Sequence, residues 1–339
     1  MQLNEIWFLI VGFLFIGYFV LDGFDFGVGM SLPFLGKDDT DRRVLINTIG
    51  PVWDLNETWV LVAGASLFAA FPEWYASLFS GFYLPLLILL AALIARGVAF
   101  EYRGKGKTIG ANETRWKATF DWMIVVGSAL PALLWGVAFA NIVQGVPLNE
   151  SHVYTGNLFT LLNPYGLLGG LVTLTLFWTH GLMFIALKTE GDIKERAVKL
   201  GMKVGIATTL LAATFLVWTL VAHFSVLGFI LSALAAVSLI AGLVANYFER
   251  EGIAFSLLVV TIVTAVGSLF AALFPNVFPS TTNAAFSLTI ENASSSQYTL
   301  TVMTWVAAFM IPLVMLYQGW TYWVFRKRIS RKSIPVGSH

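Results

Sequence analysis

Long apolar runs, broken at short intervals by polar clusters, dominate the chain. At the roughly 20 residues that cross a bilayer as a helix, they predict nine spans, near residues 6–33, 57–72, 78–100, 120–140, 162–187, 203–222, 226–247, 253–274 and 300–325. The second run is the shortest, and the connection "HFSV" between the sixth and seventh is the tightest. Polar residues break into this pattern in two places. In "YFVLDGFDFGVGMSLPFLG", Asp22 and Asp25 stand inside the first run; in "INTIGPVWDLNETWVLVAG", Asp54 and Glu57 open the second, beside Trp53 and Asn56. A carboxylate at membrane depth is costly unless it is paired, hydrated or protonated, so both clusters mark candidate sites.

Composition places the whole chain in one class. Its 339 residues are 58% hydrophobic and 12% charged, with a mean hydropathy of +0.79, whereas soluble domains carry about a quarter charged residues. The expectation is an all-α polytopic membrane protein forming a single transmembrane domain over 1–339, with a cytoplasmic tail over 326–339. The first run lacks the basic region and small-residue cleavage site of a secretory signal and is expected to be a retained span. The absence of cysteine excludes disulfides, thiolate zinc sites and cysteine-held iron–sulfur clusters or haem.

Net charge is only +1, but its distribution orients the chain. Lys and Arg fall in alternate connections: Lys37, Arg42 and Arg43; Arg103 to Lys117; Lys188 to Lys203; Arg250; and Arg326 to Lys332. Arg96 lies just before the end of the third span. The intervening connections, including the long "NIVQGVPLNESHVYTGNLFTLLNPYG" and "PNVFPSTTNAAFSLTIENASSSQYT", contain neither residue. By the positive-inside rule the N-terminus faces out and the C-terminus faces the cytoplasm, which requires an odd number of spans. The two long segments read as loops or short interfacial helices.

At 1.5 Å per residue Asp25 falls in the cytoplasmic half of the first span, with Asp22 a turn further out on roughly the same face. Arg96 reaches a similar depth from the third span and is the candidate counter-ion; the alternative is that it snorkels to lipid headgroups while the aspartates bond to backbone or water. Asp54 and Glu57 have the spacing of a helix-capping box, so capping competes with a proton-carrying role. Trp53 and Trp59 have a plain reading as interfacial belt residues. Asp121 is expected to cap the fourth span or to pair with Arg115 or Lys117. The glycines of "DGFDFGVG" read as points of close helix approach. Of the four histidines, only His180 in "LFWTHGLMF" lies at membrane depth, since His152, His223 and His339 fall in a loop, at a helix end and at the terminus. A lone histidine there reads as packing, and no haem ligand is expected from this chain. Two function classes remain on these grounds: a stand-alone proton or cation transporter, and an accessory subunit that delivers protons to a partner. The polar clusters lie toward one side rather than at the midplane, which favours the second.

The motifs "LDGFDFGVG", "DDTDRRVLINTIGPVWDLNETWVLVAGASLFAAFPEWYASLFSGFY", "NIVQGVP", "YTGNLFTLLNPYGLLGG", "FPNVFPSTT" and "SSSQYTLTVMTWVA", in that order and spacing over nearly the whole chain, resemble subunit II of cytochrome bd-type quinol oxidases that use ubiquinol or menaquinol. The resemblance implies two four-helix bundles plus one extra helix, in a heterodimer with a subunit I that ligates haems b558, b595 and d. That complex, in the bacterial plasma membrane, reduces oxygen to water with electrons from quinol and takes protons from the cytoplasm. A structural quinone in this subunit and a small single-span accessory subunit, both seen in some members, are further expectations; nucleic acid is not an expected partner. Carried over by motif, Asp25 in "GFDFG" and Asp54 in "VWDLN" are proton-transfer candidates, with Asp22 and Glu57 beside them. Arg96 in "IARGVAFEYR" matches an arginine important to the haem environment, and Trp59, with Trp53, falls at an oxygen route or subunit interface. The usual "WDGN" or "WDAN" is "WDLN" here, so Leu55 replaces a small residue.

Overall fold

The computed structural model describes residues 2–334. Its α-helices are α1 (Leu3–Leu35), α2 (Asp39–Ile49), α3 (Trp53–Ala70), α4 (Pro72–Gly81), α5 (Tyr83–Tyr102), α6 (Glu113–Gln144), α7 (Leu158–Leu161), α8 (Pro164–Lys188), α9 (Asp192–Ala222), α10 (Val226–Tyr247), α11 (Glu251–Leu273) and α12 (Gln297–Val324). One short antiparallel ribbon, β1 (Asn276–Phe278) with β2 (Leu288–Thr289), is the departure from an all-helical chain. Side-chain caps fix several starts: Asn112 accepts from the Arg115 N–H, Asn163 from Gly166 and Ser225 from Gly228. Ser225 thereby ends the tight "HFSV" turn where the sequence placed it.

Eight described helices, α1, α5, α6 and α8 to α12 without gaps, are long and apolar enough to cross a membrane. The ninth expected span, α3, does not meet that measure, because Asp54, Asn56 and Glu57 occupy its first turns. It also starts at Trp53, before the expected 57. The third span starts at Tyr83 and not 78, because residues 78–81 complete α4, which opens on Pro72.

Helix α1 is the central element. It packs on α3 and α6 on one side and on α8 and α11 on the other, while α5 pairs with α6 and α10 lies against α9 and α11. Helix α12 stands apart, touching α1 and α3 and leaving most of its surface uncovered. The crossing of α1 and α8 is a backbone contact: a Cβ on Gly27 would lie 2.1 Å from the Phe177 carbonyl oxygen and 2.7 Å from Gly181 Cα. Gly27→Leu is therefore expected to destabilise by more than the ~1–3 kcal/mol of ordinary overpacking. Gly104→Ala, where nothing lies within 4 Å of the added Cβ, should leave the melting temperature unchanged; equal melting temperatures for the two variants would contradict the crossing.

The basic connections meet at one end of the helices. Buried Asp41 binds Arg196 (2.9 Å) and Arg331 (2.5 Å), Asp39 binds Arg103 (2.8 Å) and Lys117 (2.9 Å), and Lys194 binds Glu251 (2.5 Å). Residues 326–334 are strapped onto this end. Ile329 N–H donates to the Lys188 carbonyl at 2.8 Å, the Lys188 ammonium donates to the carbonyls of Phe325 and Lys327, and Ile334 is buried. The rest of the expected tail, residues 335–339 with His339, lies outside the described residues. At the opposite end the segments 145–163 and 274–296 cross each other, with Val146 N–H donating to Pro279 O and Thr281 N–H to Val146 O, both at 3.0 Å.

The Asp41 N–H and then the Arg331 guanidinium hold the Asp38 carboxyl below its usual range. Partial burial works against Asp39, but Lys117 and Arg103 outweigh it and lower that group too. Depressed carboxyl groups contribute stability that is complete above their unfolded value of about 4 and is lost as pH falls through the lower folded value. The melting temperature is accordingly expected to drop below about pH 4, with Asp38→Asn plus Asp39→Asn flattening that drop. An unaltered slope in the double variant would exclude these two groups.

Candidate acidic cluster between α1, α3 and α5

Arg96 is fully buried on α5. Its Nη2 donates to Asp22 Oδ1 at 2.6 Å and to Glu57 Oε2 at 3.0 Å, so one guanidinium joins α1 and α3. The Phe26 ring, one turn from Asp22 on the same face of α1, lies 4.4 Å from the guanidinium carbon and Phe100 lies 5.9 Å away. Helix α6 closes the other side through Gly127, where a Cβ would sit 2.8 Å from Arg96 Cβ. Arg96 thus has no path to lipid headgroups, and the snorkelling alternative does not describe it.

Asp25, also fully buried, is held by a different group. Its Oδ2 accepts from Asn56 Nδ2 at 2.8 Å, and the same amide nitrogen donates to Leu21 O at 3.2 Å. Asn56 Oδ1 in turn accepts from Gln318 Nε2 and Tyr322 OH, both at 2.8 Å. Asn56 is therefore the knot tying α12 to α1 and α3. Sequence reading named Asn56 only as part of the polar start of the second span and passed over Gln318 and Tyr322; the available signal was that polar pair, four residues apart in a predicted span. Asp22 Oδ2, Asp25 Oδ1, Arg96 Nε and Nη1, and Gln318 Oε1 are buried without a hydrogen-bond partner.

The second acidic pair is divided. Capping does not describe it: α3 begins at Trp53, its N-cap is Val52, and no side chain caps it. The helix starts two residues too early for Asp54 to cap it, so Asp54 lies exposed in the first turn while Glu57 turns inward to Arg96. Both line a lateral cleft of about 660 Å³ between α3, α4 and α5, whose remaining wall is mostly apolar, including Leu61, Phe68, Leu86 and Leu90. Glu57, its side chain 22% exposed, is in contact with both the cleft and the buried arginine.

Trp59 is packed between helices and is not a belt residue. Trp59 is buried against Gly17 and Phe13 of α1 and borders an apolar cavity of about 110 Å³ with Met310 and Ile311 of α12. Trp53 is half-buried, 5.1 Å from the Phe100 ring. Asp121 pairs with Arg103 (2.6 Å) and Arg42 (2.9 Å), not with Arg115 or Lys117, because α6 starts two turns earlier at its Asn112 cap. His180 directs Nε2 at the Val20 carbonyl (3.1 Å) and stacks on Phe255 at 4.7 Å, with Phe24 edge-on. Its ring is thus enclosed by side chains, with Nδ1 buried and without a hydrogen-bond partner. Among the described residues no three His, Asp or Glu side chains gather as a metal site.

Residues 3–325 match the family model described as cytochrome bd terminal oxidase subunit II. This chain belongs to that family. It is 41% identical over 336 residues to cytochrome bd ubiquinol oxidase subunit 2 of Bacillus subtilis, covering 98% of each chain. It is 37% identical over 378 residues to cytochrome bd-I ubiquinol oxidase subunit 2 of Escherichia coli, covering 99% of this chain and 98% of that one. In fold it is similar to a chain of the bd oxidase structure from Geobacillus thermodenitrificans, with a TM-score of 0.76 at 16% identity, covering 96% of this chain and 100% of that one. As a bd oxidase subunit II it is a membrane component of an oxidoreductase complex, and the acidic cluster is a feature of a chain that works within that complex.

Proposed function

We propose that this subunit II is haem-free and that it supports a haem-bearing subunit I while passing cytoplasmic protons toward the site of oxygen reduction. The observation that carries this reading is the buried cluster. Asp22 and Glu57 share a single Arg96, and Asp25 is bonded to a neutral Asn56, so carboxylates outnumber the one guanidinium and the surplus is balanced by protons. In this reading Asp54 receives protons at the cleft mouth and Asp25 holds one at depth, while Arg96 fixes the neighbouring charge. Substrates of the complex are quinol and oxygen, and haems b558, b595 and d reside in subunit I. The enclosed ring of His180 supports the haem-free assignment.

Helix α3 is the ninth span in this reading. Its 18 residues extend about 27 Å, and its polar start faces neighbouring helices and the cleft. With nine spans and the basic connections gathered at one end, the N-terminus is outside and the C-terminus cytoplasmic. Asp54 and Glu57 on an open lateral cleft are poor company for lipid, so the α3–α5 face is the side that subunit I covers. No comparison favours the rival reading as a stand-alone transporter.

Co-expression tests the assignment. The chain purified alone is expected to show no Soret absorption and no proton flux in liposomes, and co-purification with its partner brings a haem spectrum. Haem bound by the isolated chain, or flux from it, would overturn the reading.

A further inference from the structure

The α5–α6 hairpin carries a second feature, on the face turned away from the lateral cleft. Between the two helices runs an apolar groove of about 670 Å³, floored by Ala92, Ala95 and Gly127 and bordered by Ile88 and Val126. Thr119 and Trp122, the latter 61% exposed, stand at its end nearest the basic connections. One turn beyond them on the same face is Arg115, since positions 115, 119, 122 and 126 follow the i, i+4, i+7, i+11 spacing of one helix stripe.

Two cations of this hairpin, Arg115 and Lys105, form no ion pair among the described residues. Arg115 is exposed and has no ion pair among the described residues. Lys105, in the turn between the helices, lies 4.5 Å over the Tyr102 ring and is likewise exposed. The nearby Glu113 is already engaged by Lys117 at 2.6 Å and Lys107 at 3.6 Å.

We propose that this groove holds an acyl chain of an anionic glycerophospholipid, with the headgroup phosphate at Arg115 and Lys105. The order of chemistry along the stripe is that of such a lipid: cations at the headgroup, an indole and a hydroxyl at the ester level, then an apolar trough. Length agrees as well, because Thr119 to Leu130 rises about 16 Å at 1.5 Å per residue and half the hydrocarbon core is about 15 Å thick. A partner helix would fill the trough but leave the two cations uncompensated, and charge complementarity therefore selects the lipid. Placing this lipid in the cytoplasmic leaflet rests on the orientation proposed above; its contact with these residues does not.

Native mass spectrometry of the intact complex, extracted from nanodiscs holding equal phosphatidylglycerol and phosphatidylcholine, tests the proposal. The wild type is expected to retain phosphatidylglycerol over phosphatidylcholine by about tenfold or more, from two surface cations. Arg115→Gln with Lys105→Gln should abolish that preference, and Ala91→Phe, which fills the groove wall, should lower retention of both lipids. Oxygen-reduction rate per haem should be unchanged in these variants, because none lies in the acidic cluster. No retained lipid, or retention indifferent to headgroup charge in the wild type and to the charge-removing variant, would overturn the proposal. Those readouts are lipid masses, so they stand or fall apart from the proton-transfer reading.

Discussion

Arg96→Leu is expected to prevent assembly of a stable complex. The substitution leaves Asp22 buried with no counter-charge and frees Glu57 from its inner contact, and breaking one side of a buried ion pair costs about 3–5 kcal/mol. That is a large share of the ~5–15 kcal/mol that holds a folded protein together. The effect should be measured as the yield of co-purified subunits and as melting temperature. Its cause can be separated from loss of arginine packing on Phe26. In Arg96→Leu with Asp22→Leu, the fully buried carboxylate that the arginine faced is gone and only Glu57, at the cleft, loses its partner, so much of the yield should return, since apolar replacement of a buried pair is often near neutral. If the double variant is as damaged as the single one, the arginine acts through shape or through another partner, and the ion-pair account of this site is wrong.

Asn56→Leu should rank second. One side chain makes hydrogen bonds to Asp25, Leu21, Gln318 and Tyr322, and its loss strands the buried Asp25 and Gln318 and the partly buried Tyr322 at once. Each stranded polar group costs about 1–3 kcal/mol, so a loss of about 3 kcal/mol or more is expected. The signature is local: α12 has few other contacts with the rest of the chain, so amide exchange should rise along α12 while α8 and α11 stay protected. Asn56→Asp keeps the acceptor for Gln318 and Tyr322 but sets a carboxyl against Asp25, and it should lower activity without detaching α12. Uniform exchange across all helices in Asn56→Leu would show that Asn56 is not the anchor of α12.

Much of this was legible because bilayer chemistry leaves a chain few choices. Span α10 was read at its observed bounds, since an apolar run that begins at a serine cap has one solution. Helix α3 was harder for the reason that makes it interesting: the residues that form the site also lower its hydropathy. The depth match between the first and third spans brought Arg96 to the aspartates, but depth does not resolve rotation about a helix axis. Arg96 meets Asp22 and Glu57, while Asp25, the aspartate favoured by family resemblance, is held by Asn56. The spacing of Asp54 and Glu57 left capping and a proton-carrying role in competition, and the observed start at Trp53 sends the two side chains to different environments. Asp121 was assigned to neighbours in sequence, whereas its partners Arg103 and Arg42 come from other turns of the fold. The short β1–β2 ribbon and the strapped tail left no periodic signal, because both depend on contacts between distant segments.

The central claim is that Asp25 holds a proton on its way to oxygen, and Asp25→Asn addresses it most directly. Asparagine keeps the shape and the acceptor for Asn56 and removes the exchangeable carboxyl proton. Oxygen-reduction rate per haem should be measured in the purified, assembled complex, with haem content read from the same sample. Loss of a general acid or base step predicts a fall of about tenfold or more at unchanged haem content, deepened by adding Asp54→Asn. A double variant that keeps both full haem content and full rate would contradict the proton-transfer account and leave the cluster a structural tie.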